Sequence, residues 1–137
     1  MRLFLDSSSL AKRYILEQGS DGVDRLCADA AMLGVSIICI PEIISALNRR
    51  VRERRLSAFD YAAARERLLA DLEDAEIVQL TPAVISRSTV ILENNPVRAM
   101  DALHVACAVE WGAELFASSD KAQVEAARKA HVACRLV

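Results

Sequence analysis

Short, nearly continuous apolar runs alternate along this chain with longer stretches in which apolar residues recur every three or four positions. Runs of the first kind read as buried strands and stretches of the second as amphipathic helices. The opening residues predict a strand over Arg2–Asp6 and a helix from Ser7 to about Leu16, broken by Gly19. Val23, Leu26, Cys27 and Ala30 at helical spacing predict a second helix from about Asp21 to Ala31. Gly34 introduces a second strand over Val35–Ile40. Pro41, at home in a first helical turn, opens a third helix to about Arg55. Ser57 caps a long fourth helix, Glu76–Leu80 is a third strand, and Thr81-Pro82 opens a fifth helix to about Glu93. A sixth helix over about Ala99–Trp111 stops at Gly112. A strand over Glu114–Ser118, a helix begun by Asp120 and a last strand over Ala133–Val137 complete the chain.

Strands that are apolar on both faces and alternate with helices imply an α/β protein, a parallel sheet sandwiched by helices. Repeats, low-complexity tracts and linkers are absent, so residues 1–137 are expected to form a single domain. The composition supplies a core: 53% of residues are hydrophobic, but only 4% are aromatic, so Leu, Ile, Val and Ala must fill it. No apolar run approaches the roughly 20 residues of a membrane span. The strand-like start lacks the layout of a signal peptide, and the expectation is a soluble cytoplasmic protein. Cys27, Cys39, Cys107 and Cys134 form no C-x-x-C pair and read as buried free thiols. The net charge of −2 gives no global sign of nucleic-acid binding, although residues 48–55, NRRVRERR, make a local basic block.

In parallel sheets, ligands bind in the crevice beyond the carboxyl ends of the strands. Asp6 ends the first strand, Glu42 follows the second within the first turn of a helix, and Asp120 follows the fourth. Asp101, in the first turn of the sixth helix, can point back to the same edge. Any one of these acids could be a helix cap and no more. Four converging on one crevice is another matter, because two carboxylates about 5 Å apart repel by roughly 3 kcal/mol at an effective dielectric of 20. An all-oxygen cluster suits Mg2+ or Mn2+. A cation held in this way is a means of hydrolysing phosphodiesters with no nucleophilic side chain.

These residues resemble the PIN-domain ribonucleases, and most closely the VapC-type toxins of bacterial toxin–antitoxin pairs. The likeness rests on FLDSSSLAKRY followed by EQGSD, then IPEIISAL, RAMDALHVACA and ASSDKA, which span nearly the whole chain in the family's order. It implies a three-layer PIN-like fold whose central parallel sheet has about five strands flanked by helices. It places the family's acidic quartet on Asp6, Glu42, Asp101 and Asp120, as catalytic and metal-holding residues. The hydroxyl residues near the metal fall on Ser8 (or Ser7) and Ser118, where family members commonly carry Thr. It further implies RNA cleavage to 5′-phosphate and 3′-hydroxyl ends, a homodimer, and inhibition by a cognate antitoxin.

Other residues are weighed beside this frame. Arg49 falls about 20° from Glu42 on a helical wheel, two turns further on, so Arg49 and Arg52 are candidates to hold RNA phosphates; Ile43, Leu47 and Val51 make the buried stripe. A solvated basic helix end, or a seat for an acidic antitoxin segment, explains the same arginines. His104, one turn after Asp101, reads as a hydrogen-bonded buried histidine, with Arg2 or a lysine as the partners in view. Lys12 and Arg13 read as salt-bridged, Lys121 as surface. Phe59, Tyr61, Leu68, Leu69 and Leu72 are expected mostly in the core, any exposed remainder suiting an antitoxin. A receiver domain is the rival of another class, but EIVQLTP ends its strand without the phospho-acceptor acid. The alternative within the family is an inactive PIN domain that binds RNA or a partner.

Overall fold

Along β1 (Arg2–Leu5), Leu3 and Leu5 point to one side of a sheet and Phe4 to the other, and all three are fully buried. A computed structural model of the protein describes residues 1–137. Five strands, β1, β2 (Met32–Ser36), β3 (Glu76–Val78), β4 (Leu115–Ser118) and β5 (Cys134–Leu136), lie in the order β3-β2-β1-β4-β5 and pair in parallel throughout. Phe4 pairs with Gly34 on one side and Phe116 on the other.

The alternation along β1 divides the core in two. Leu3 and Leu5 pack with Val35 and Ala117 against α1 (Ser7–Ala11), α2 (Ser20–Asp29), α3 (Cys39–Arg52) and α4 (Ala58–Asp74). Phe4 and Phe116, stacked at 6.1 Å, pack against α5 (Pro82–Asn94), α6 (Ala99–Trp111) and α7 (Lys121–Lys129). The result is the three-layer arrangement expected, helices over both faces of a parallel sheet. No helix is long and apolar enough to cross a membrane. The cysteines are free thiols, Cys39 and Cys107 buried and the other two half-buried. Burial pushes the Cys39 thiol up to about 12.

Several boundaries differ from those read in the sequence. The second strand is Met32–Ser36, not Val35–Ile40, and Gly34 lies within it. Cys39, Ile43 and Leu47 explain the shift: spaced four apart and all buried, they form one helical stripe, so the second half of the apolar run already belongs to α3. The first helix ends at Ala11 and continues to Tyr14 as i→i−3 turns, so Leu16 lies outside it, 89% exposed. In α4 Ala64 and Leu68 are buried and Tyr61 and Leu72 pack against the core, as expected of the stripe, whereas Phe59, 82% exposed, and Leu69 form its exposed remainder. Gly112 does close α6 in the left-handed conformation, and Ser57 caps α4 through the Asp60 N–H.

Two contacts outside the apolar core tie elements together. Trp111, at the end of α6, lies over β2 at Gly34, where an added Cβ would meet the indole ring at 2.8 Å. Its opposite neighbours are Phe4, at 6.0 Å, and the Arg2 guanidinium, 4.0 Å from the ring centroid. On the other face, Asp71 of α4 accepts from Arg13 Nε at 2.8 Å, Arg13 Nη2 at 3.2 Å and the Tyr14 hydroxyl at 2.8 Å. Burial opposes ionisation of Asp71, but the hydrogen bonds from Arg13 and Tyr14 and the charge of Arg13 overcome it and hold the carboxyl below the usual range. Arg13 and Lys12 thus make the salt bridges expected of them, Arg13 to Asp71 and Asp24, Lys12 to Glu17.

Gly34→Ala therefore forces Trp111 or the strand to move, and is expected to lower stability by about 1–3 kcal/mol, the range of an overpacked core. A thermal midpoint equal to that of the wild type would show that the indole is not pressed on the strand. Asp71→Asn carries a pH signature. A carboxyl whose folded pKa is depressed contributes stability above its unfolded pKa and loses it as pH falls through the folded value. The variant should be less stable than wild type at pH 7, and the gap should close as the pH falls below about 4. Denaturant titrations at several pH values measure both, and a gap that persists in acid would contradict the assignment.

Candidate active site

Asp6 stands at the carboxyl end of β1, between β2 and β4, where chain connections depart to opposite faces of the sheet. It is 1% exposed. It caps α1, with Oδ1 accepting the Ser9 N–H at 2.9 Å and the Ser9 hydroxyl at 2.7 Å. The Ser8 hydroxyl lies 2.9 and 2.8 Å from its two oxygens, and Ser118 donates to Oδ2 at 2.7 Å. Ser118, the last residue of β4, also accepts the Asp120 N–H at 2.9 Å. Asp120 in turn caps α7 by accepting from the Ala122 N–H at 2.8 Å. Ser8 accepts the Ser119 N–H at 3.2 Å. Serines therefore bridge Asp6 to the segment that carries Asp120.

Glu42 and Asp101 enter from helices on opposite faces of the sheet. Glu42, in the first turn of α3, accepts from the Ser7 hydroxyl at 2.8 Å and from His104 Nε2 at 2.5 Å. Burial opposes its ionisation, but the hydrogen bond and charge of His104 and the hydrogen bond of Ser7 hold it below the usual carboxylate range. Asp101, in the first turn of α6, accepts the Arg98 N–H at 3.3 Å and the Gln123 amide at 3.0 Å. Its carboxyl is raised, first by burial and then by the charges of Asp120 and Glu42, against the lowering effects of the Arg98 N–H and His104. Asp101 thus feels the charges of Asp120 and Glu42, and Asp6 is joined to Asp120 through the Ser118 hydroxyl.

The donor chemistry fits a hard divalent cation. The four carboxylates accept from hydroxyls, amides and one imidazole, none is paired with Lys or Arg, and the like charges that add to burial in raising Asp101 are what a cation would offset. As placed, no three His, Cys, Asp or Glu side chains are gathered closely enough to hold an ion together. Each carboxylate is turned to its own protein donors. A surface cavity of about 650 Å³ is lined by Met1, Arg25, Leu115 and Arg135, and others of about 400 and 280 Å³ lie between α5 and α7 and beside α2; none of the three is lined by these acids.

Of the other candidates, Ser8 and Ser118 both contact Asp6. Ser7, the alternative to Ser8, serves Glu42 instead. Arg49 and Arg52 are exposed and in no ion pair, on the last two turns of α3, whereas Arg50 reaches Glu17 at 3.9 Å. Lys121 is exposed, as expected. His104 is buried, as read, but its partners are Glu42 and Ser7 rather than Arg2 or a lysine. Ser9 and Gln123 were not anticipated. Gln123 follows the Asp120 cap by three residues, the spacing of a capping box, yet its amide turns to Asp101 instead of back along its own helix.

The sequence profile of the PIN domain matches residues 3–129. Compared by sequence with curated proteins, the chain has no match. Among solved structures it resembles FitAcB from Neisseria gonorrhoeae, with 18% identity, a TM-score of 0.73 and coverage of 96% of this chain and 95% of that one. VapC20 of Mycobacterium tuberculosis, described as a toxin that cleaves the sarcin-ricin loop, matches with 19% identity, a TM-score of 0.70 and 90% and 94% coverage. VapBC2 from Rickettsia felis, solved on a DNA fragment from its promoter, matches with 12% identity, a TM-score of 0.70 and 100% and 99% coverage. At these identities the likeness is one of fold.

Because burial, and then the charges of Asp120 and Glu42, disfavour the ionised Asp101, Asp101→Asn should raise the thermal midpoint of the protein in EDTA. Mg2+ should then stabilise the wild type more than the variant. Differential scanning calorimetry with and without Mg2+ reads both. A variant that melts lower than wild type in EDTA would contradict a mutually repelling cluster.

Proposed function

The chain belongs to the PIN-domain family, and we propose that it is a divalent-cation-dependent endoribonuclease, the toxin of a VapBC-type toxin–antitoxin pair. The observation that carries the reading is the placement of four acids: Asp6 after β1, Glu42 and Asp101 in the first turns of α3 and α6, and Asp120 before α7, with Ser118 joining Asp6 to Asp120 and Asp101 feeling the charges of Asp120 and Glu42. The structural likeness to toxin–antitoxin proteins and to a toxin that cleaves RNA supports it. Asp6, Glu42, Asp101 and Asp120 would hold Mg2+ or Mn2+. Such a cation, when bound, makes a water nucleophilic near neutral pH and neutralises charge on the scissile phosphodiester.

The remaining work falls to this chain's own residues. Ser8 and Ser118 fix the rotamer of Asp6, so that its carboxylate does not reorganise during reaction. Arg49 and Arg52, unpaired and about 10 Å or more along α3 from Glu42, hold phosphates of the RNA to one side of the cut. A protein of net charge −2 needs such local cations to bind a polyanion at all. The antitoxin would cover the exposed apolar side chains Leu16 and Phe59, and an acidic segment of it would meet the same arginines. Residues 1–137 would act as one PIN domain in the cytoplasm, as a homodimer.

A second reading, an inactive PIN domain that binds RNA or a partner, is favoured by one feature: the oxygens of Asp6 are already taken by serine donors. Cleavage of a bulk cellular RNA pool separates the two. The expected result is cutting with Mg2+ or Mn2+ that stops in EDTA and falls about 100-fold or more in Asp101→Asn. A folded, antitoxin-free wild type that binds RNA but leaves it intact would establish the second reading.

A further inference from the structure

The contact between His104 and Glu42 joins the two faces of the molecule. Glu42 belongs to α3, packed on one side of the sheet, and His104 to α6, packed on the other. Their hydrogen bond, at 2.5 Å, is the only side-chain hydrogen bond between these two helices. An ionised carboxylate can only accept, so Nε2 is the donor. The same nitrogen lies 3.2 Å from the Ser7 hydroxyl, which itself donates to Glu42. His104 stands three residues after Asp101, on the same face of α6.

We propose that His104 is a positioning residue of the cation site, fixing Glu42 at a set separation from Asp101 by joining α3 to the helix that carries Asp101. The inference rests on the cation reading given above. The burial of His104 supports a role beyond packing. The ring is 2% exposed, and its second nitrogen, Nδ1, is buried without a hydrogen-bond partner. Burying an unsatisfied polar atom is unfavourable, and a phenylalanine or leucine would fill the space without it. Stability alone does not call for an imidazole here. Contact with Glu42 does, because the imidazole Nε2 presents a donor to it without adding a permanent positive charge.

The test uses Mn2+ alone as the probe, titrated calorimetrically into wild type, His104→Phe and His104→Gln, with RNA cleavage measured in parallel. Phe keeps the bulk and removes the donor. Gln places an amide where Nε2 stands. His104→Phe should bind Mn2+ about 10-fold or more weakly and lose kcat with KM for RNA unchanged, while His104→Gln stays within about threefold of wild type. A purely structural role predicts the reverse: a lower thermal midpoint in both variants and unaltered Mn2+ affinity in each folded protein. The proposal is overturned if His104→Phe binds Mn2+ as wild type does, or if His104→Gln loses as much as Phe. Should circular dichroism show His104→Phe unfolded, His104→Asn, whose shorter amide falls short of Glu42, replaces it under the same criteria. Wild type that binds no Mn2+ overturns the cation reading and the positioning role together. Calorimetry decides the positioning role and cleavage the nuclease, so the two can fail separately.

Discussion

The structure depends on satisfying one acidic side chain buried inside it. Taking such a polar group out of water is costly unless protein donors replace the solvent. Asp6 is fully enclosed, and Ser8, Ser9 and Ser118 supply its donors. Each donor also constrains something else. Ser9 lies 2.8 Å from the Ala117 carbonyl of β4, Ser118 receives the N–H of Asp120, and Ser8 receives that of Ser119. The trio of Ser8, Ser9 and Ser118 is therefore a set of clamps. It stitches β1 and α1 to β4 and the start of α7, where the sheet divides its connections between two faces.

Much of the fold was legible because its strands are short and its helices capped by ordinary chemistry. Ser57, Thr81 and Gly112 do at their positions what such residues do elsewhere. The failures have one source. Where an apolar run passes from strand into helix, hydrophobicity carries no boundary: Val35 and Ser36 are strand, Cys39 is helix, and both parts are buried. Phe59 shows the converse. Its apolar character fitted a core stripe, but α4 packs mainly on α3, burying Ala64 and Leu68, and Phe59 lies outside that contact.

The elements that carry the acids were legible for a topological reason: in a parallel sheet, residues that follow strands share an edge whatever their separation in sequence. The partners of the acids were not. That Ser7 serves Glu42 while Ser8 serves Asp6 depends on a 100° step around a one-turn helix. That Gln123 meets Asp101, and His104 meets Glu42, depends on how α6 packs between α7 and the sheet. Such pairings are set by tertiary packing and leave no signature in local spacing.

The choice of partners separates the site acids from the structural ones. Asp71 is held by the Arg13 guanidinium, a permanent opposite charge, and the pair pins α1 to α4. Asp6, Asp101 and Asp120 are held by hydroxyls, backbone N–H groups and one carboxamide, and Glu42 by a hydroxyl and an imidazole. A guanidinium would fix these carboxylates equally well, but it would cancel their charge and compete with any cation arriving from solvent. Hydroxyls, backbone N–H groups and a carboxamide fix Asp6, Asp101 and Asp120 and leave their negative potential in place, while at Glu42 the charge of His104 offsets part of it. The cost is visible at Asp101, whose carboxyl is raised in part by its acidic neighbours. Electrostatic strain of this kind adds nothing to the stability of the chain alone. It is accounted for if the site is completed by a positive ion, and the same arrangement would make the protein most stable when that ion is bound.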